Sequence, residues 1–298
     1  MKNSYKSLNW KQKILLYLLT LIDDKGCSRL KIFKVAFLLS EKIDFYNFIP
    51  YKYGPYSFEM DRDLLMFNRN GWINIEDKLV HADKSIRKAL SDILSDEIKY
   101  KDEINKLANK FKNIDEDDLV NYIYKNYTYY TQNSLLKRQQ RVGNRTAPVS
   151  IYTIGYQNLS IDLFINTIIE KGIKTVLDVR NNPFSYKYGF SYYWLNKYLP
   201  EVSIKYINVP ELGIEGEYRK KLSGNELWRH YSKSLIGKGN YISKASDEIL
   251  KQPTVLMCYE IDFNDCHRLR LAQKIQDLVD LPIINFNGKI KQWIELNS

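Results

Sequence analysis

The sequence predicts an α/β protein: a Rossmann-like, mainly parallel sheet with helices on both faces, preceded by an α-rich winged-helix domain. Two observations predict it. From Ile151 onward, short apolar runs rich in β-branched residues alternate with segments of helical period, whereas the first 82 residues read as three apolar-striped helices and a hairpin. Between them RVGNRTAPVS, with Gly, Pro and small polar residues, marks a boundary.

Composition narrows the function classes. A chain of 298 residues suffices for two domains with their own cores, and its hydrophobic fraction of 44% excludes a largely disordered chain. No apolar run approaches the ~20 residues that span a bilayer, and the basic start MKNSYKSLNWKQK has no cleavage-site pattern. The expectation is a cytoplasmic protein with no membrane partner. Cys27 lies far in sequence from Cys258 and Cys266, so a disulfide framework is excluded and reduced thiols are expected. A net charge of +10 favours polyanionic partners, although a Lys-, Asn-, Ile- and Tyr-rich composition produces the same excess without one.

In residues 9–24, Ile14, Leu15, Leu18, Leu19 and Ile22 recur at helical spacing, and Gly26 follows as a stop. Ile32, Val35, Ala36, Leu38 and Leu39 repeat the pattern over residues 30–43. Gly54-Pro55 then forces a turn, Ser57 is placed to cap, and Met60, Leu64, Leu65 and Phe67 line a third helix ending at Gly71. WINIEDKLVHA alternates about Asp77-Lys78 as a hairpin, completing a winged helix over 1–82. Within it, PYKYGPYS resembles the YGP signature of SocA-like (Panacea) domains, which are associated with antitoxins and phages.

Residues 83–148 read as a helical linker, with helices over 83–112 and 114–140, the second opened by the acidic run Asp115–Asp118. Lys137, Arg138, Arg141 and Arg145 follow Tyr127, Tyr129 and Tyr130, a pattern that can stack bases and hold phosphates. The same residues equally describe a solvated helix end with its tyrosines turned to the core.

The domain at 149–298 carries the chemistry. IYTIGY, KTVLDVR, SIKYINV, TVLMCYE and LPIINF are strand candidates, with helical period after the first, second and fourth. Ligands of such sheets sit at the carboxyl ends of strands. Those ends deliver Tyr156; Asp178, Arg180, Asn182 and Ser185; Glu211; and Cys258 and Glu260. Taken in order, TIGY, LDVRNNPFS, PELG with Tyr218-Arg219, and MCYE…CHR resemble the DUF488 family across residues 151–287. The resemblance implies a fold and a site but no reaction.

The CHR element admits three chemistries. A structural zinc requires four ligands, and Cys258, Cys266 and His267 supply three, with His81 and His230 elsewhere, so neither a metal nor another cofactor is expected. A phosphatase-type thiol needs a compact C-x5-R loop, which neither cysteine has. The preferred reading has His267 and Arg268 opening a helix that holds an anion, with Arg180 and Arg219 completing the grip. Asp178, Glu211 and Glu260 are then the catalytic candidates, Glu260 foremost, while Asp178 alternatively pairs with an arginine. This shared site requires TIGY and DVR on neighbouring strands. Carboxylates among arginines suit metal-independent hydrolysis of an N-glycosidic bond in nucleic acid, DNA more than RNA, on a flipped base. The phage-associated resemblance implies genome defence as context. The competing reading is a non-catalytic DNA-binding regulator whose α/β domain senses a nucleotide.

Overall fold

The computed structural model describes residues 7–22, 26–82, 98–136 and 145–286. The chain divides into two compact units, Met1–Gly143 and Asn144–Ser298.

In the first unit, α1 (Trp10–Ile22) and α2 (Arg29–Ser40) are buried almost all round, as apolar residues off the main stripe, Leu16 and Phe37 among them, required. Ser28 caps α2 by accepting from the Lys31 amide, and Ser57 caps α3 (Phe58–Arg69) from the Met60 amide. β1 (Cys27–Ser28) pairs with β5 (Leu79–Ala82), which pairs with β4 (Ile73–Glu76), all antiparallel. Helix, strand, two helices and a two-stranded wing is the winged-helix order. Between α2 and α3 the chain adds a hairpin of β2 (Ile49–Tyr51) and β3 (Gly54–Tyr56), with Gly54 at φ +92° in its turn. Of the YGP residues, Tyr53 lies in the hairpin's turn and Gly54-Pro55 begin β3.

The segment expected as a linker belongs to the same core. Ile104, Leu107 and Phe111 of α4 (Lys101–Phe111) and Leu119 and Ile123 of α5 (Glu116–Asn126) pack in one cluster with Leu18 and Val35. Asp115 caps α5, but the helix stops at Asn126 rather than running to 140. Tyr127 and Tyr130 turn inward with their rings edge-on to Phe37, and the Leu135 amide then donates to the Lys52 carbonyl of the hairpin. Two tyrosines of the expected stacking stripe are therefore committed to the core. Lys137, Arg138 and Arg141 lie outside the described residues, and Arg145 is exposed.

The second unit is a five-stranded parallel sheet flanked by helices, built from β6 (Ile151–Gly155), β7 (Thr175–Asp178), β8 (Lys205–Asn208), β9 (Thr254–Cys258) and β10 (Ile283–Phe286). Its order is β10-β6-β9-β7-β8. β6, β7 and β9 are fully buried, which accounts for their unbroken apolar runs, while the edge strands β8 and β10 are partly exposed. α6 (Ile161–Glu170) follows β6, α7 (Tyr192–Glu201) follows β7, and α11 (His267–Val279) follows β9, as the periodicity indicates. The connection after β8 also folds into helices, α8 (Gly216–Lys221), α9 (Gly224–Ser234) and α10 (Gly239–Lys251), which the sequence reading did not anticipate. Gly216, Gly224 and Gly239 lie inside the helices they open, and such residues ordinarily signal breaks. Among the described residues no helix is long and apolar enough to cross a membrane.

One buried cation makes the first unit sensitive to pH. Lys34 in α2 is 1% exposed, and its Nζ donates to the Tyr53 carbonyl. Burial, opposed by the charge of Glu116, lowers its pKa to about 7. From pH 7 toward the unfolded lysine value of about 10, the unfolded chain binds a proton that the folded chain does not, so stability rises with pH. Amide-exchange protection of α2, corrected for intrinsic rates, should rise by up to roughly 1.4 kcal/mol per pH unit between pH 7 and 9. Lys34→Met should abolish that slope and raise protection at pH 7.

Candidate active site

Where β9 ends between β6 and β7, the segments that follow β6, β7, β8 and β9 meet around a cleft of about 610 Å3. The TIGY and DVR strands are thus not neighbours, contrary to expectation, because the MCYE strand separates them. Their side chains nevertheless meet beyond the strand ends: Arg180 Nη1 donates to Tyr156 Oη at 2.6 Å. The two strands are not neighbours because parallel strands joined through helices leave room for a later strand to enter between them.

Asp178 is fully consumed in positioning Arg180. Its Oδ1 accepts from the Arg180 amide at 3.1 Å and from Nε at 2.8 Å, while Oδ2 accepts from Nη2 at 2.5 Å and from Tyr206 Oη at 2.7 Å. Asp178 is 0% exposed, and it is Arg180 that lines the cleft. Burial and the adjacent Asp178 charge raise the Tyr206 pKa, and burial raises that of Tyr156, so both hydroxyls remain protonated.

Glu260 behaves differently. Its Oε1 accepts from Arg219 Nη1 at 2.8 Å, and both residues line the cleft. Its Oε2 lies 2.9 Å from Cys258 Sγ and 3.1 Å from Cys266 Sγ. His267 Nδ1 stands 3.7 and 3.8 Å from the same two sulfurs, and the opposite ring nitrogen, Nε2, is 2.9 Å from the Val179 carbonyl. That carbonyl can only accept, so Nε2 carries a proton. Arg219 Nη2, a donor, lies 3.2 Å from Nδ1, which suits an unprotonated Nδ1. The donor atoms of Cys258, Glu260, Cys266 and His267 all fall within 4.8 Å of one another.

Charge in this cluster is finely divided. Burial opposes ionisation of Glu260, but the Cys258 hydrogen bond and the Arg219 charge outweigh it and bring the pKa to about 2. Burial likewise opposes ionisation of Cys258, yet its contacts with Cys266 and His267 bring the thiol to about 6. Burial and the neighbouring Cys258 push Cys266 well up. Burial lowers His267, and the Cys258 charge more than compensates, leaving it raised.

Of the remaining residues expected in the site, Asn182, Ser185 and Arg219 border the cleft with Tyr156 and Arg180. Glu211 is half-buried in the turn Pro210–Leu212, near enough to Lys238 to influence its charge, and is not part of the cleft wall. His267 and Arg268 are buried at the start of α11. No described residue accepts from the Arg268 guanidinium, and the space it occupies exists because residue 155 is glycine: a Cβ there would meet Nη1 at 2.7 Å. Gln157, Phe184, Tyr186 and Lys187 of the cleft wall were missed, although the last three continue the NNPFS run that held Asn182 and Ser185. Glu260, a carboxylate, is the fourth donor that a count of thiolates and imidazoles alone leaves out.

Residues 160–275 match the family model described as Domain of unknown function DUF488. The second unit carries a DUF488 domain. Every element of the cleft except Tyr156 and Gln157 falls within the DUF488 match. No curated protein and no solved structure matches the chain. The likeness of PYKYGPYS to SocA-like domains lies outside the DUF488 match and gains no support from it.

The two carboxylates should respond unequally to neutralisation. Asp178→Asn leaves the buried Arg180 cation without its counter-ion and should cost roughly 3–5 kcal/mol in urea unfolding of the DUF488 unit. Glu260→Gln, whose Arg219 partner reaches solvent with 37% of its side chain exposed, should cost far less. Equal losses would show that Asp178 is not the structural member of the pair.

Proposed function

We propose that the DUF488 unit is a hydrolase that draws one nucleotide of a nucleic acid, DNA in preference to RNA, into the cleft and breaks its N-glycosidic bond. The observation that carries this reading is Glu260, an anion at the wall of a nucleotide-sized cleft whose other charged lining residues, Arg180, Lys187 and Arg219, are cations. The rim supplies faces for a base: Phe184, Tyr186 and Tyr259 are 58%, 98% and 45% exposed.

In such a cleft the ring stacks on an exposed aromatic and its phosphate meets Arg180, whose fork Asp178 and Tyr156 hold in place. As the bond to the base lengthens, positive charge grows on the sugar and negative charge on the base. The Glu260 carboxylate opposes the first and the arginines the second, so both act more strongly on the transition state than on the bound substrate. The Cys258 hydrogen bond and the Arg219 charge keep Glu260 anionic, and Arg219 itself reaches the cleft.

A nucleotide-sensing regulator is the second reading, and Asp178 favours it: a sensor needs the arginines alone, and this carboxylate is spent on aligning one of them. The two readings part on turnover. Wild-type protein incubated with modified and unmodified DNA should release free bases detectable by mass spectrometry, and Glu260→Gln should reduce that release by about 100-fold or more while retaining DNA binding. Binding without release from any substrate supports the sensor.

A further inference from the structure

Beneath the cleft, Cys258, Cys266, His267 and Glu260 converge in a way that hydrolysis by a carboxylate does not require. The two cysteines come from different elements, the end of β9 and the cap of α11, yet both sulfurs face the same imidazole nitrogen and the same carboxylate oxygen.

We propose that these side chains form a zinc site, with Cys258, Cys266 and His267 as fixed ligands and Glu260 in the fourth position. A tetrahedral ion with sulfur at about 2.3 Å and nitrogen at about 2.0 Å holds them roughly 3.5 Å apart. The separations from His267 Nδ1 to the sulfurs, 3.7 and 3.8 Å, are close to that edge length. The carboxylate oxygen, at 2.9 and 3.1 Å from the sulfurs, needs to draw back by about half an ångström. A second observation is independent of these distances. Metal-binding imidazoles characteristically donate their remote N–H to a carbonyl or carboxylate, and His267 Nε2 faces the Val179 carbonyl at 2.9 Å, which leaves Nδ1 directed at the cluster. Arg219 supplies the corresponding support to the carboxylate through Oε1.

The donor set selects the ion. Two thiolates with an imidazole favour zinc over magnesium or calcium, and a pair of cysteines falls short of the four that an iron–sulfur cluster uses. Two thiolates and a carboxylate against a divalent cation leave one negative charge, which faces Arg219. Glu260 is the partly exposed donor of the four, with 22% of its side chain accessible, whereas Cys258, Cys266 and His267 are buried. Water entering from the cleft therefore displaces Glu260, and the freed carboxylate stands beside a metal-polarised water to take its proton. This would make the cleft a metal-assisted hydrolase whatever bond it cuts.

The test reads metal and not turnover, so it stands apart from the proposed substrate. Full-length protein, reduced and stripped with chelator, is titrated with cobalt(II) and then with zinc(II). The expected result is about one cobalt ion per chain with thiolate charge-transfer absorption and the intense visible bands of a four-coordinate ion, bleached by one equivalent of zinc. Cys266→Ser should weaken cobalt binding beyond the ~10–100-fold that losses around a metal's ligands cause, whereas Cys27→Ser should leave it unchanged. The weak spectrum of six-coordinate cobalt in wild-type protein overturns the proposal. So does recovery of the native protein with a Cys258–Cys266 disulfide, seen as a two-hydrogen mass loss, because the ligands would then be oxidised in the working state.

Discussion

The site depends on a close approach that only a glycine permits. A Cβ on residue 155 would lie 1.8 Å from the Glu260 carbonyl oxygen, so any side chain at the end of β6 would drive the loop after β9 away from the sheet. Because that loop crosses directly over Gly155, Glu260 stands beside Cys258 and Cys266 instead of projecting into solvent. A second approach of the same kind occurs across the cleft, where a Cβ on Gly213 would meet the Asn181 amide nitrogen at 2.1 Å, holding the PELG turn against the loop after β7. Two backbone contacts thus hold neighbouring loops together, and side-chain chemistry is built on them.

On that frame the polar groups divide into those that hold and those that face the cleft. Asp178 spends both oxygens on Arg180 and Tyr206, so its charge appears at the cleft only as the fixed orientation of a guanidinium. Tyr156 adds to this, accepting from Arg180 while its ring stacks on Phe190 at 4.1 Å between centroids. Glu260 keeps one oxygen toward Arg219 and turns the other to the sulfurs. Two carboxylates at neighbouring strand ends therefore do different work, and the difference follows from burial. A fully enclosed acid must satisfy every lone pair within the protein, while one at a cleft wall can exchange partners.

The first unit shows the same economy with aromatic rings. Phe37 receives Tyr127 and Tyr130 edge-on and Phe48 from another side, and this packing turns the chain out of α5 and back to the β2–β3 hairpin. The winged-helix core and the helices after residue 98 consequently form one body, and the YGP residues lie in the hairpin that the returning chain touches.

By itself the sequence determined what local periodicity and side-chain chemistry can encode. All five strands of the parallel sheet, the cap at Ser57, the acidic opening of α5, and the gathering of Tyr156, Arg180, Asn182, Ser185, Arg219 and Glu260 at one edge were legible, because alternation, capping, the helix dipole and the carboxyl-end rule act within a few residues of each position. Tertiary structure alone decided the rest. The strand order was invisible because nothing local to TIGY or DVR records that a segment some eighty residues later will enter between them. The helices after β8 were hidden by glycines that ordinarily mark breaks. The fourth donor of the cysteine–histidine cluster was hidden because a carboxylate two residues from Cys258 shares its face but stands about 6.6 Å further along an extended chain; only the turn over Gly155 brings oxygen and sulfur to 2.9 Å.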